Sequence, residues 1–457
     1  MRSAVLAAGF GVGVGVMAIL LGVAEIVLDQ ARAPELVGGG NVVVRLGPDV
    51  PARLLLTGAM QSDALRRRVR TAAPSHDARL YLVRDGRSTE VFAHGGIPSL
   101  ERALGDPETR DAAAWRDTPA DVAWTQDTPE KVLRYIDRFH PIPPATEWSR
   151  SWAEWLYFNG RGRDRRFYLT FMVGDLREDG LRNAGVRLQL DRSGTLDTFY
   201  GSGPISPDAA LQAPDLTIGT SSVRLDGLLY RVHLDLTDTA GRRVVGDLSL
   251  QASPGKLVPP FEIMGARGWR TGYVVPVMEG RLEGELMVDG QLVSLAGGSG
   301  YHDHNWGFWE GVSWQWGQVQ QDGLSFLYGR VFPPAGAADP ERMPGFVGAL
   351  GPDGPLGYAT DVTIKETDDE RGRPQRIEID ARGTSLRLQL RFDVESFVTT
   401  QGTIGSNLDF LQMRGRYAVS GRAGGRDIAF TAPGSAETFR GANASSPASS
   451  PAFSPRP

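Results

Sequence analysis

Apolar and polar residues alternate one by one through much of this chain. The run 386–394 (LRLQLRFDV) alternates over its whole length, and 230–236, 186–191 and 377–380 repeat the pattern. A period of two sends successive side chains to opposite faces of a strand, one toward an apolar interior and one toward water. Asp-Gly pairs at 179–180, 226–227, 289–290, 322–323 and 353–354 stand between such runs and predict tight hairpin turns. Repeated hairpins with almost no helical period predict closed antiparallel barrels or sandwiches over residues 147–441. That span suits two barrels, with their seam expected at 290–300, in the glycine-rich stretch before Tyr301.

Composition narrows the functional classes. The chain has 457 residues, with 57 Gly and 30 Pro, which fits a turn-rich all-β protein. It has no cysteine, so disulfides, thiolate nucleophiles, cysteine zinc sites and iron–sulfur clusters are excluded. With 49 Lys+Arg against 54 Asp+Glu, the net charge of −5 argues against a nucleic-acid binder built on a basic face. No phosphate loop, dinucleotide fingerprint or nucleophile elbow is present.

The N-terminal run 3–24 is uncharged and apolar, with Arg2 before it and Glu25, Asp29 and Arg32 after it. As a helix it would span roughly 33 Å, enough for a bilayer core. The expected organisation is therefore a signal peptide or membrane anchor at 1–34, a mixed extension of unassigned role at 35–145, a first barrel at 146–295, a second at 296–441, and a disordered tail at 442–457. The positive N-terminus places that end in the cytoplasm and the rest of the chain across the bacterial inner membrane, tethered or released in the periplasm. Within the extension, strands are expected at 41–46 and 78–83, and a helix opening at Thr128-Pro129-Glu130. No chemistry is expected there.

Chemistry-bearing residues crowd into GSGYHDHNWG (298–307), followed by Trp309, Glu310, Trp314 and Trp316. As a strand, this segment puts Tyr301, Asp303 and Asn305 on one face and His302, His304 and Trp306 on the other. If one face looks into a barrel, two chemistries compete. A desolvated Asp303 beside Tyr301 and tryptophans would stay protonated and serve as a general acid, with aromatic faces stabilising a carbocation. Alternatively, His302 and His304 with Glu310 would make a metal site. A third reading is a buried hydrogen-bond network that closes a barrel end. A second cluster, residues 148–160, puts Trp152, Glu154, Leu156 and Phe158 on one face and Trp155 and Tyr157 on the other.

These segments resemble the lipocalin-like carotenoid 1,2-hydratase (hydroxyneurosporene synthase) and AttH superfamily. Residues 154–158 (EWLYF) resemble its E-W-W-Y-F strand, 300–307 (GYHDHNWG) its G-Y-x-D-H-N-W-G signature, and 436–441 (AETFRG) its closing motif. The resemblance implies two tandem lipocalin-like barrels and hydration of an isoprenoid double bond without a cofactor or metal. It puts the acid at Asp303, with Tyr301 and, less directly, Trp306 beside it. Glu154, Trp155, Tyr157, His302, His304, Asn305, Trp314 and Trp316 become expected substrate contacts. A lyase acting on a lipophilic small molecule is therefore expected. A non-catalytic carrier using the same cavity, or a cyclase or isomerase, is the alternative.

Overall fold

The computed structural model describes residues 67–84, 87–106, 114–124, 128–144, 147–148, 151–162, 165–192, 195–400 and 408–441, together with 42–44, 52 and 56. The chain divides into two compact units, one of residues 1–46 and 69–126, the other of 47–68 and 127–457. The expected N-terminal segment at 3–24 and the tail at 442–457 lie outside the described residues. Among the described residues, no helix is long and apolar enough to cross a membrane.

In the smaller unit, β1 (Ser75–Arg84) and β2 (Arg87–Gly96) form an antiparallel hairpin, followed by helices α1 (Pro98–Leu104) and α2 (Pro119–Trp124). The strand expected at 78–83 lies within β1. The one expected at 41–46 is not formed where it is described. Val42, Val43 and Val44 are exposed and outside any strand, with no partner strand among the described residues to take their backbone groups.

The larger unit opens with α3 (Pro129–Ile136). Thr128 caps it by accepting a hydrogen bond from the Lys131 amide, Pro129 supplies a fixed φ, and Val132, Leu133 and Ile136 are buried. Twelve strands of one sheet follow: β3 (Trp152–Arg161), β4 (Arg165–Leu176), β5 (Arg182–Arg192), β6 (Thr195–Ser202), β7 (Leu216–Ile218), β8 (Ser221–Asp226), β9 (Leu229–Thr237), β10 (Arg243–Gln251), β11 (Val258–Met264), β12 (Arg270–Val288), β13 (Gln291–Ser294) and β14 (Gly298–Phe308). The short helix α4 (Pro207–Ala210) precedes β7. Eight of these strands close a barrel in the order β14-β3-β4-β5-β6-β9-β10-β12 and back to β14.

Nine more strands make the second sheet: β15 (Ser313–Gln321), β16 (Leu324–Phe332), β17 (Phe346–Gly351), β18 (Gly354–Ala359), β19 (Asp361–Asp368), β20 (Pro374–Arg382), β21 (Leu386–Thr400), β22 (Leu408–Ala423) and β23 (Arg426–Gly441). Their order is β18-β17-β16-β15-β23-β22-β21-β20-β19, nearly closed. The boundary between the sheets corrects the expected one. Because β14 hydrogen-bonds to β12 and β3, it completes the first barrel, and the break falls at 309–312. The glycine-rich stretch does not mark the seam, because Gly298 and Gly300 are packed inside paired strands.

The alternation reads through to burial. In β21, Leu386, Leu388, Leu390 and Phe392 are buried, while Arg387, Gln389 and Arg391 between them are exposed. All five Asp-Gly pairs fall at the turns that join paired strands, with Asp226 ending β8 and Gly354 opening β18. At 289–290 and 322–323 both residues have positive φ (49° and 79°, 51° and 75°), the hairpin conformation that Asp-Gly favours.

Candidate active site

The two faces of β14 are set by its register with β3. Tyr301, Asp303 and Asn305 stand opposite Asn159, Tyr157 and Trp155, whereas His302, His304 and Trp306 stand opposite Phe158, Leu156 and Glu154. The second set lies inside the first barrel, among Leu156, Phe158, Leu169 and Phe171. The first set lies on the barrel's outer wall. That wall is buried too, because β15, β22 and β23 cover it. One set alone therefore faces a barrel interior, and the other is buried between the two sheets.

The seam between the sheets is layered along the strands. An aromatic layer holds Trp155, Trp309, Trp314, Phe410 and Phe439, with Trp155 and Trp309 ring centroids 4.5 Å apart and Trp314 and Phe439 4.7 Å apart. Next comes a carboxyl layer of Asp303, Tyr157, Tyr273, Trp316 and Glu437. The third layer is polar. Gln318 Nε2 donates to Asn159 Oδ1 at 3.1 Å, and the Tyr168 and Ser435 hydroxyls lie 3.1 Å apart. An ion pair between Arg414 and Asp191 also joins the two sheets.

Asp303 is 3% exposed. Its Oδ2 accepts from the hydroxyls of Tyr301 (3.0 Å) and Tyr273 (3.3 Å), and its Oδ1 accepts from Asn305 Nδ2 (2.9 Å). The two phenols touch at 2.7 Å, and Trp316 Nε1 donates to the Tyr273 oxygen at 3.0 Å. Among the described residues no cation is ion-paired with Asp303. Burial, and then the charge of Glu437, hold its carboxyl well above the usual carboxylate range, against the opposing hydrogen bonds from Tyr301 and Tyr273. The hydroxyls around it accept as readily as they donate, so they accommodate a protonated carboxyl.

Glu437 enters from the second sheet, where it is the register partner of Trp316 and Gln412. It accepts from Trp314 Nε1 (3.2 Å) and Gln412 Nε2 (3.1 Å). Burial raises its proton affinity, while these donors and the nearby Arg187 oppose the rise. Arg187 belongs to the same cross-strand row as Asp303, through Tyr157 and Thr170. Two carboxyls from different barrels are thus set against each other, with the cation on Glu437's side. That arrangement leaves the proton on Asp303.

Glu154, His302, His304 and Trp306 are not part of this layer. They belong to a hydrogen-bonded cluster inside the first barrel that is completed by the segment after α3. His302 Nε2 lies 2.9 Å from Asp137 Oδ2, and His304 Nε2 lies 2.9 Å from Glu154 Oε1. His140 Nδ1 lies 2.7 Å from Glu154 Oε1, and the His140 amide donates to both Glu154 oxygens at 3.0 Å. Burial opposes a charge on His304, but Asp137 and Glu154 outweigh it and raise its pKa to about 9. Burial likewise opposes ionisation of Asp137, yet His302 and His304 bring it to about 2. Trp306 stacks on His140 and donates to Glu262 at 2.8 Å.

The metal set expected from His302, His304 and Glu310 is not assembled. Glu310 is exposed, and His302 spends its other nitrogen on the Tyr157 carbonyl at 2.9 Å. His140, Glu154 and His304 do bring three ligand atoms within 4.8 Å of one another, as do His94, Glu101 and Asp106 in the smaller unit. In the first group the contacts just described already occupy the converging atoms.

Sequence reasoning missed Tyr273, Glu437, Asp137 and His140. Glu437 did carry a signal, since it sits in the 436–441 motif. Asp137 and His140 fell in a segment expected to hold no chemistry. No known family matches the chain, and no curated protein matches it. Among solved structures it is similar to an AttH protein from Nitrosomonas europaea (14% identity, 66% of this chain and 99% of that chain, TM-score 0.44). It is also similar to kievitone hydratase from Nectria haematococca (12% identity, 66% and 93%, TM-score 0.43) and to CghA with Sch210972 (12% identity, 69% and 96%, TM-score 0.42).

Proposed function

We propose that this protein hydrates a carbon–carbon double bond in a lipophilic, isoprenoid-like molecule, with Asp303 as the general acid and no cofactor, on a lipocalin-like pair of barrels. One observation carries the reading: a carboxyl buried between two sheets, hydrogen-bonded by phenols and an amide, with no cation ion-paired to it among the described residues. Such a group keeps its proton at neutral pH and releases it only to a base that enters its dry surroundings, which is what protonating an alkene requires. The alkene π pair forms a new C–H bond to the Asp303 proton, leaving positive charge on the neighbouring carbon. Tyr301, Tyr273 and Trp316 line the same layer as Asp303, and their aromatic rings stabilise that charge. Water then adds to the cation, and the proton it sheds returns to the carboxyl pair of Asp303 and Glu437. The aromatic layer one step along the seam suits the apolar remainder of the substrate.

The deciding experiment is Asp303→Asn assayed against a panel of acyclic isoprenoid alkenes. A loss of alcohol product by about 10²–10⁴-fold, with the alkene still bound, is expected from removing a general acid. An Asn variant that forms alcohol at the wild-type rate would end the hydratase reading and leave a carrier.

A further inference from the structure

The polar layer of the seam contains a small cavity of about 30 Å³, lined among others by Asn159, Tyr168, Ser299, Gln318, Gln320 and Ser435. A water molecule needs about 10–15 Å³ of such space, so there is room for one or two. Two buried atoms in this lining make no hydrogen bond of full geometry: Gln318 Oε1, and Asn159 Nδ2, which interacts only weakly with the Tyr157 hydroxyl. Both residues are under a tenth exposed. Turning both amides over exchanges their nitrogens and oxygens, but still leaves one donor and one acceptor unmatched. A water satisfies both at once, accepting from one amide and donating to the other, with the Tyr168 and Ser435 hydroxyls at hand.

We infer that this layer binds the water that adds to the substrate, an inference that rests on the hydration reading above. Asn159 is the register partner of Tyr301, and Tyr301 stands two residues from Asp303 on the same face of β14. A two-residue step along a strand is about 6.6 Å. The water therefore waits one layer from the acid, on the side away from the aromatic layer. An alkene lying across the carboxyl layer takes its proton from Asp303 at one carbon. It meets the water at the next, where an oxygen lone pair forms the C–O bond and the resulting oxonium gives its extra proton to the Tyr301 hydroxyl, which passes its own proton to the Asp303 carboxylate. Until then the water is anchored by the amides and separated from the Asp303 carboxyl by the Tyr301 side chain. Arg161 and Arg166, which also line the cavity, are engaged with the Pro433, Gln320 and Gly434 carbonyls across the seam. They hold the sheets together around the pocket.

Two measurements test this. A high-resolution crystal structure of the full chain is expected to show one or two ordered waters on Asn159 and Gln318. An empty cavity, or an anion held there by Arg161 and Arg166, would overturn the assignment. In D₂O with an acyclic isoprenoid alkene, Gln318→Leu is expected to form at least tenfold less alcohol while deuterium still enters the recovered alkene, because the cation forms and loses a proton again. Wild-type alcohol yield from this variant would refute the inference. Gln318→Met carries the same test should Gln318→Leu not fold. Ordered waters together with no deuterium in either the alkene or the alcohol after incubation with the wild-type protein would instead refute hydration itself.

Discussion

Asp303 and His304 are neighbours in sequence that both hold a proton, for different reasons: burial and the charge of Glu437 keep Asp303 neutral, whereas Asp137 and Glu154 keep His304 charged. The consequences for pH run in calculable directions. Asp303 has a folded pKa above its unfolded value of about 3.9, so the stability it contributes is present at low pH and is lost as pH rises through the folded pKa. Asp303→Asn should flatten that decline, as read from melting temperature against pH, and an unchanged slope would show that the carboxyl is ionised in the folded protein. The interior cluster behaves differently. His304, at about 9, contributes below its unfolded pKa of about 6.5 and loses that contribution as pH rises through 9. Asp137, at about 2, contributes above about 3.9 and loses it as pH falls toward 2. Removing one member leaves a buried charge unmatched, so Glu154→Gln should destabilise the fold by about 3–5 kcal/mol in urea titrations. A loss below about 1 kcal/mol would mean that the cluster is not ionised as described.

At the scale of elements, β14 serves two interiors at once. Its even-numbered side chains from 302 to 306 fill the first barrel, and its odd-numbered ones from 301 to 305 meet the second sheet. Close packing on the inner face has a precise steric origin at Gly272, the register partner of Trp306. A Cβ there would stand 2.0 Å from the Trp306 indole. Gly272→Ala should therefore cost about 1–3 kcal/mol, the usual range for overpacking, measurable as a lower unfolding midpoint. A neutral substitution would show that the indole has room to move. Much at this scale was legible beforehand. Period two, Asp-Gly turns and the helix start at Thr128 are local signals, and each depends only on neighbouring residues. The side-by-side grouping of Tyr301, Asp303 and Asn305 was legible for the same reason.

Across the whole molecule, the seam joins the two sheets into one body. Gln318 with Asn159, Tyr168 with Ser435, Trp316 with Tyr273 and Arg161 with Pro433 all cross it. With this many buried polar and aromatic contacts, the larger unit should unfold in urea as one transition, with tryptophan fluorescence and far-ultraviolet circular dichroism coincident. Two separated transitions would mean that the barrels stand independently and that the acid is sheltered only by their chance proximity.

Alternation determined the strands, their turns and which residues share a face, because pleating is a property of the backbone that any window of a few residues displays. It also paired Asp303 with Tyr301. What covers each face depended on contacts far apart in the chain. Glu437 meets Asp303 only after β23 folds back beside β15. Asp137 and His140 reach His302 and His304 only because the segment after α3 enters the first barrel. Those approaches are governed by register and by how two closed sheets pack, and no local pattern encodes them. The tertiary structure alone therefore decided that the carboxyl at 303 lies between the barrels and the histidines within one.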